Sequence, residues 1–153
     1  MTDPNPTQTT PPPSGRHTPE ARWLQRAVGE GYAIERLLGR GGMGVVYLAL
    51  DRVLQRWVAI KALHPEIGTD PDRREQFRRE ALANARLAHP NIVPVHAWAE
   101  ADETAFLVMR FVPGHSLAYV LWRREPLAVG RACEILADLA TRLASANRQR
   151  IVH

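Results

Sequence analysis

Four glycines, a lysine and a glutamate are the residues of this chain best suited to do chemistry together. Gly39, Gly41 and Gly44 stand in the order G-x-G-x-x-G, with Gly42 between them, and Lys61 closes the run Val58-Ala59-Ile60-Lys61. Glycine has no Cβ, so a loop built from it can bring backbone N–H groups close to a bound anion. A lysine adds a positive charge, and in a partly dry cleft that ammonium needs an acid beside it to offset lost hydration. Glu80, on the helix that follows, is the natural partner. Phosphate binding is the chemistry such a set performs. Singly, each has a plainer reading: the glycines form an ordinary hairpin tip, and Lys61 and Glu80 are solvated surface charges. The combination favours the phosphate reading.

The flanks of the glycines narrow it further. Tyr32 to Leu38 upstream, with Ile34 and the Leu37/Leu38 pair, reads as a strand. Val45 to Leu50 downstream is β-branched, aromatic or apolar over a strand's length. A dinucleotide-binding βαβ unit needs its glycine turn to open a helix, with pyrophosphate on the helix N-terminus. Here the glycines join strand to strand, which excludes that unit.

The elements that must position these groups follow in order. Strands are expected at about Tyr32 to Arg40, Gly44 to Asp51 and Trp57 to Leu63, with Asp51 to Arg56 as a connecting turn. Asp70 suits an N-cap, Pro71 the first helical position and Asp72 the positive end of the helix dipole. The helix they open is expected to run to about Leu87, with Phe77, Ala81 and Ala85 on one side, and to stop before His89-Pro90. Ile92 to Trp98 and Thr104 to Met109 read as strands four and five, joined by a polar turn at Glu100 to Glu103. Ser116 to Arg123 fits a short helix. Val129 to Gln149 is a long amphipathic one, with Ala132, Ile135, Leu136, Leu139 and Leu143 three or four apart.

The opening segment is different in kind. Residues 1 to 19 hold six of the twelve prolines, with threonines and almost nothing apolar. Such a stretch buries too little to offset its ordering entropy, so disorder is expected over the tail. A lead-in helix from Glu20 to Gly29 could lay Trp23, Leu24 and Val28 on the sheet.

Composition sets outer bounds. The 153 residues are 45% hydrophobic and 24% charged, normal for a globular chain, and the net charge of +4 comes mostly from dispersed arginines. No nucleic-acid docking motif accompanies that charge, so nucleic-acid binding is not expected. A lone cysteine, Cys133, cannot form a disulfide within the chain; a buried, inert thiol on a helix is the reading, and a reducing cytoplasm the setting. The six histidines lack metal-ligand spacing. No run approaches the roughly 18 apolar residues that a membrane span needs, and the N-terminus has no signal-peptide core.

Leu-Gly-x-Gly-Gly-Met-Gly-Val-Val-Tyr-x-Ala from Leu38, Val-Ala-Ile-Lys, Phe-Arg-Arg-Glu-Ala around Glu80, and His89-Pro90-Asn91-Ile92-Val93 together resemble the bacterial, eukaryotic-like Ser/Thr protein kinases. The resemblance covers roughly Gly31 to His153. It implies an α+β protein-kinase-like fold: an N-lobe over 31–109 with a five-stranded antiparallel sheet and one regulatory helix, a hinge over 110–114, and the opening of a helical C-lobe over 115–153, preceded by the tail and lead-in over 1–30. It implies transfer of the ATP γ-phosphate to protein Ser/Thr. Lys61 and Glu80 then take the catalytic places, and Leu38, Gly39, Gly41, Gly42, Gly44 and Lys61 hold the nucleotide. Val46 and Ala59 pack on adenine in front of a Met109 gatekeeper, the hinge contacts come from the Arg110 carbonyl and Val112 N–H, and Ser116 reaches the ribose. Met109 and Val112 serve equally as plain core.

Three departures from the family pattern stand out. Arg110 replaces a frequent glutamate, and Asn84 a usually apolar residue one turn after Glu80. Ile151-Val152-His153 opens the catalytic loop but ends the chain, so the Mg²⁺ ligands and catalytic base expected of the family lie outside it, and no useful phosphate transfer is expected of these residues alone. Two other readings stay open: a nucleotide-binding, pseudokinase-like regulatory module, and a small-molecule phosphotransferase of similar fold. The apolar stripe at 129–149 is expected to be exposed and to favour self-association.

Overall fold

The computed structural model describes residues 18–87, 89–101, 104–123 and 127–148. Its centre is a five-stranded antiparallel sheet made of β1 (Tyr32–Arg40), β2 (Gly44–Asp51), β3 (Arg56–Leu63), β4 (Val95–Ala101) and β5 (Thr104–Arg110), in the spatial order β1-β2-β3-β5-β4. Around it lie α1 (Pro19–Val28), the single turn α2 (Pro65–Gly68), α3 (Pro71–Ala85), α4 (Leu117–Trp122) and α5 (Val129–Arg148).

The two-residue period of the strands sorts the sheet into two faces. On the outer face, Val45, Tyr47 and Ala49 of β2, Val58, Ile60 and Ala62 of β3, and Phe106 and Val108 of β5 are buried in one cluster with Ala21, Leu24 and Val28 of α1. On the inner face, Leu63, Ala105 and Leu107 pack with Phe77 and Ala81 of α3, and Met43, Trp98 and Met109 close the edges. The sheet is thus a single layer between two helices, α1 outside and α3 inside.

Local chemistry explains where the helices begin. The Thr18 hydroxyl accepts from Ala21 N–H at the start of α1, Pro19 fills the first helical position, and Gly29 ends the helix at φ 67°. Asp70 Oδ1 accepts from the N–H groups of Asp72 and Arg73 at 2.9 and 3.4 Å, as its N-cap reading requires. The lead-in helix is therefore present, with Trp23, Leu24 and Val28 against the sheet.

Several boundaries depart from expectation. Thr18 and Pro19, assigned from the sequence to the disordered tail, cap and open α1; the rest of that tail lies outside the described residues. Strand four begins at Val95 rather than Ile92, because Pro90-Asn91 makes a turn closed by Ile92 N–H to the His89 carbonyl at 3.0 Å. Glu100 and Ala101, assigned to the turn, belong to β4. Asp102 and Glu103 lie outside the described residues. The third helix stops at Ala85, where a tight turn of Leu87 N–H to the Asn84 carbonyl at 3.2 Å lets Leu87 pack with Ile92. Ala85 is exposed, so the buried side of α3 is Phe77 and Ala81 only. The turn α2 had no sequence signal beyond Pro65. Cys133 lies on a helix as expected but is exposed rather than buried, because its face of α5 has no neighbour among the described residues. Gln149 and 151–153 lie outside the described residues.

Candidate functional site

The glycines form the tip of the β1–β2 hairpin. The ladder pairs Gly39 with Val46 and Arg40 with Val45, and Gly41 and Gly44 close the tip with reciprocal N–H to carbonyl bonds of 2.8 and 3.3 Å. A Cβ added at Gly39 or Gly42 would meet no heavy atom within 4 Å, and at Gly41 only the Gly44 carbonyl oxygen at 3.9 Å. The backbone there faces open space that a phosphate group can fill. Gly44 is different: its Cβ would lie 2.0 Å from the carbonyl oxygen of Ala62, so β3 passes too close for any side chain.

Lys61 sits at the centre of the sheet, opposite Val46 on β2 and Leu107 on β5. Its Nζ donates to Glu80 Oε1 at 3.0 Å and rests 5.3 Å from the centre of the Phe77 ring. Both side chains are about one-third exposed, at 28% for Lys61 and 35% for Glu80, so the pair is aimed at solvent rather than sealed in the core. The helix supplies two fixings at once: Phe77 beneath the lysine stem and Glu80 one turn further on. Phe77 is itself held by Trp98, ring centres 5.2 Å apart.

Next to this pair, on the same face of β3, lies a cleft of about 680 Å³. Its lining includes seven residues expected at the nucleotide: Leu38, Val46, Ala59, Met109, Arg110, Val112 and Ser116. The structure therefore brings the expected adenine side and hinge into one cavity, with Lys61 two residues beyond Ala59. Lys61, Glu80 and the four glycines do not themselves line it. Ser116 also has a local task, since its hydroxyl caps α4 by accepting from Tyr119 N–H at 3.2 Å. Two other hollows, about 630 Å³ beside α1 and 440 Å³ between α3 and β4, contain none of the expected site residues.

Seven further lining residues were not assigned to the site from the sequence: Arg36, Val93, Phe111, Pro113, Gly114, His115 and Tyr119. The i,i+4 spacing of His115 and Tyr119 was a signal, and their rings stack at 4.3 Å. Arg36 and Arg110 put positive charge on two sides of the cleft, and among the described residues its lining holds no acidic one. Such a field suits an anionic ligand.

A glycine hairpin beside a lysine–glutamate pair on one sheet face suits a phosphate-bearing ligand. Residues 32–153 match the protein kinase domain family. The chain belongs to that family. It is 43% identical over 122 residues to the serine/threonine-protein kinase PknH of Mycobacterium tuberculosis, covering 80% of this chain and 20% of that protein. It is 41% identical over 143 residues to the serine/threonine-protein kinase PksC of Streptomyces coelicolor, covering 88% and 26%. The crystal structure of the M. tuberculosis PknI kinase domain superposes with a TM-score of 0.66 at 34% identity, covering 78% of this chain and 49% of that one. The chain thus spans about a fifth to a quarter of the curated relatives' length. Among the described residues, no helix is long and apolar enough to cross a membrane.

Proposed function

We propose that this chain is the ATP-binding part of a Ser/Thr protein kinase, and that the whole protein transfers the ATP γ-phosphate to protein serine or threonine in the cytoplasm. The observation that carries the reading is the 3.0 Å Lys61–Glu80 pair on the inner sheet face, between the glycine hairpin and a cationic cleft. Phosphoryl transfer depends on placing phosphates and neutralising charge more than on covalent help from the protein. Lys61 supplies the charge and Glu80 fixes its direction. The open backbone at Gly39, Gly41 and Gly42 leaves room for the triphosphate. Val46, Ala59 and Met109 offer apolar contact to adenine, and the backbone at Arg110 and Val112 offers it hydrogen bonds.

Mg²⁺ is expected with ATP in this family. Among the described residues no group of three or more His, Cys, Asp or Glu could hold a metal, so no step is assigned to one. The residues that this reading uses bind and orient phosphate; none takes a hydroxyl proton. On this reading the chain alone binds nucleotide and transfers little or no phosphate.

Calorimetric titration with ATP tests the reading. Wild type should bind, and Lys61→Ala should weaken binding by about tenfold, the equivalent of about 1.4 kcal/mol for one lost charge-assisted contact. A folded wild type that binds no ATP would overturn it. A nucleotide-binding regulatory module would pass this test too; incorporation of labelled γ-phosphate into a protein substrate by the whole protein separates the two.

A further inference from the structure

The matched domain begins at residue 32, yet the structure continues an ordered element in front of it. We infer that α1 is a positioning element for the glycine hairpin, and that its Glu20 grips Arg40, the residue between Gly39 and Gly41, to hold the tip where it covers the triphosphate. The inference rests on the nucleotide-binding reading above.

The grip is a two-point fork. Arg40 Nη1 and Nη2 donate to Glu20 Oε1 and Oε2 at 2.5 and 2.8 Å. The Arg40 guanidinium, through those hydrogen bonds first, holds the Glu20 carboxyl below its ordinary range. A planar fork of this kind fixes direction as well as distance. The helix that carries Glu20 is firmly seated. Ala21, Leu24 and Val28 are buried against the sheet. Gln25 ties α1 to β1, donating to the carbonyls of Gly29 and Tyr32 at 2.8 and 2.9 Å and accepting from Ile34 N–H at 2.9 Å. At the start of α1, the Thr18 hydroxyl meets the buried Tyr47 hydroxyl of β2 at 3.2 Å.

The tip needs such a hold. Gly39, Gly41 and Gly42 have no side chains, and only the Gly44 carbonyl oxygen, 3.9 Å from the place of a Gly41 Cβ, comes near where those chains would be. The side chains that can fix the tip are therefore its two neighbours. Met43 reaches the inner core beside Leu63 and Phe77, and Arg40 reaches α1 on the outer face. One anchors the hairpin from each side of the sheet. Holding a glycine loop in its bound shape removes ordering entropy that ligand binding would otherwise have to supply.

The test compares wild type with Glu20→Gln in the full 153-residue chain, with two readouts. Amide hydrogen exchange at Gly41 and Gly44, whose reciprocal bonds close the tip, should quicken by about fivefold in the variant, the size of one partly exposed ion pair. ATP binding should weaken by about two- to fivefold while adenosine binding stays the same, since adenosine has no phosphates for the hairpin to cover. A general loss of structure would move both ligands together. Arg40→Gln removes the same pair from the other side and should give the same exchange result, which guards against a folding defect peculiar to one variant. Unchanged exchange in both variants overturns the inference, whether or not ATP binds. Faster exchange with ATP and adenosine equally affected overturns the positioning role. A wild type that binds neither ligand sinks the nucleotide reading instead, and exchange then decides the grip by itself.

Discussion

Gly44 and its neighbouring glycines look equivalent in the sequence, but they do different work. At Gly44 the carbonyl oxygen of Ala62 occupies the place of a side chain, while Gly39 and Gly42 face empty space. Gly44→Ala should therefore cost about 1–3 kcal/mol or more in a urea melt, since backbone rather than a movable side chain stands in the way. Gly39→Ala should leave the melt nearly unchanged and act on nucleotide binding instead. The pattern G-x-G-x-x-G was legible as the tip of a strand–strand hairpin because the strands on either side could be read. Which glycine is required by packing was not legible, because the clash comes from a strand that lies well along the chain. The Lys61–Glu80 pair was legible from the combination: an ammonium beside the glycine hairpin needs an acid to offset lost hydration, and the capped helix that follows offers Glu80.

Elements were readable where a local signal set them. Asp70-Pro71-Asp72 fixed the start of α3, and the structure puts the Asp70 carboxylate on two backbone N–H groups. Asp70→Ala should lower stability by about 1 kcal/mol in the same melt. Because α3 carries both Phe77 and Glu80, the variant should also loosen the Lys61 contact, seen as weaker ATP binding. The start of β4 was misread because Ile92 and Val93 have strand propensity, yet the Pro90-Asn91 turn takes Ile92 to pack on Leu87 instead. Tertiary packing overrode propensity there. Likewise Ala85 falls at the right helical spacing, but it borders the hollow between α3 and β4 and stays exposed. Arg36 and Tyr119 reach the cleft only through the way β1 and α4 converge on it, which no local pattern encodes.

At the scale of the whole molecule, α5 stands apart. Its Leu136 and Leu139 side chains are 65% and 39% exposed, and Asn91 Nδ2 donates to the Asp138 carbonyl at 3.3 Å as a tie to the rest of the chain. Apolar side chains three residues apart on one open face favour association between copies. Sedimentation of the chain should show mass rising with concentration, and Leu136→Lys should shift it towards monomer; a single monomeric species at every concentration would refute the idea. The stripe itself was legible from its period, whereas the exposure of Cys133 was not, since burial depends on what a face meets and not on its residue type.

The alternation along β3 separates two kinds of constraint on one strand. Val58, Ile60 and Ala62 pack in the outer cluster that α1 covers, while Ala59 lines the cleft and Lys61 meets Glu80 of α3. Selection can thus act on the two surfaces independently. The outer cover, and with it the proposed grip on the hairpin, can therefore be exchanged while Ala59 and Lys61 beneath it stay unaltered, so that the strength of hold and the chemistry beneath it are separable.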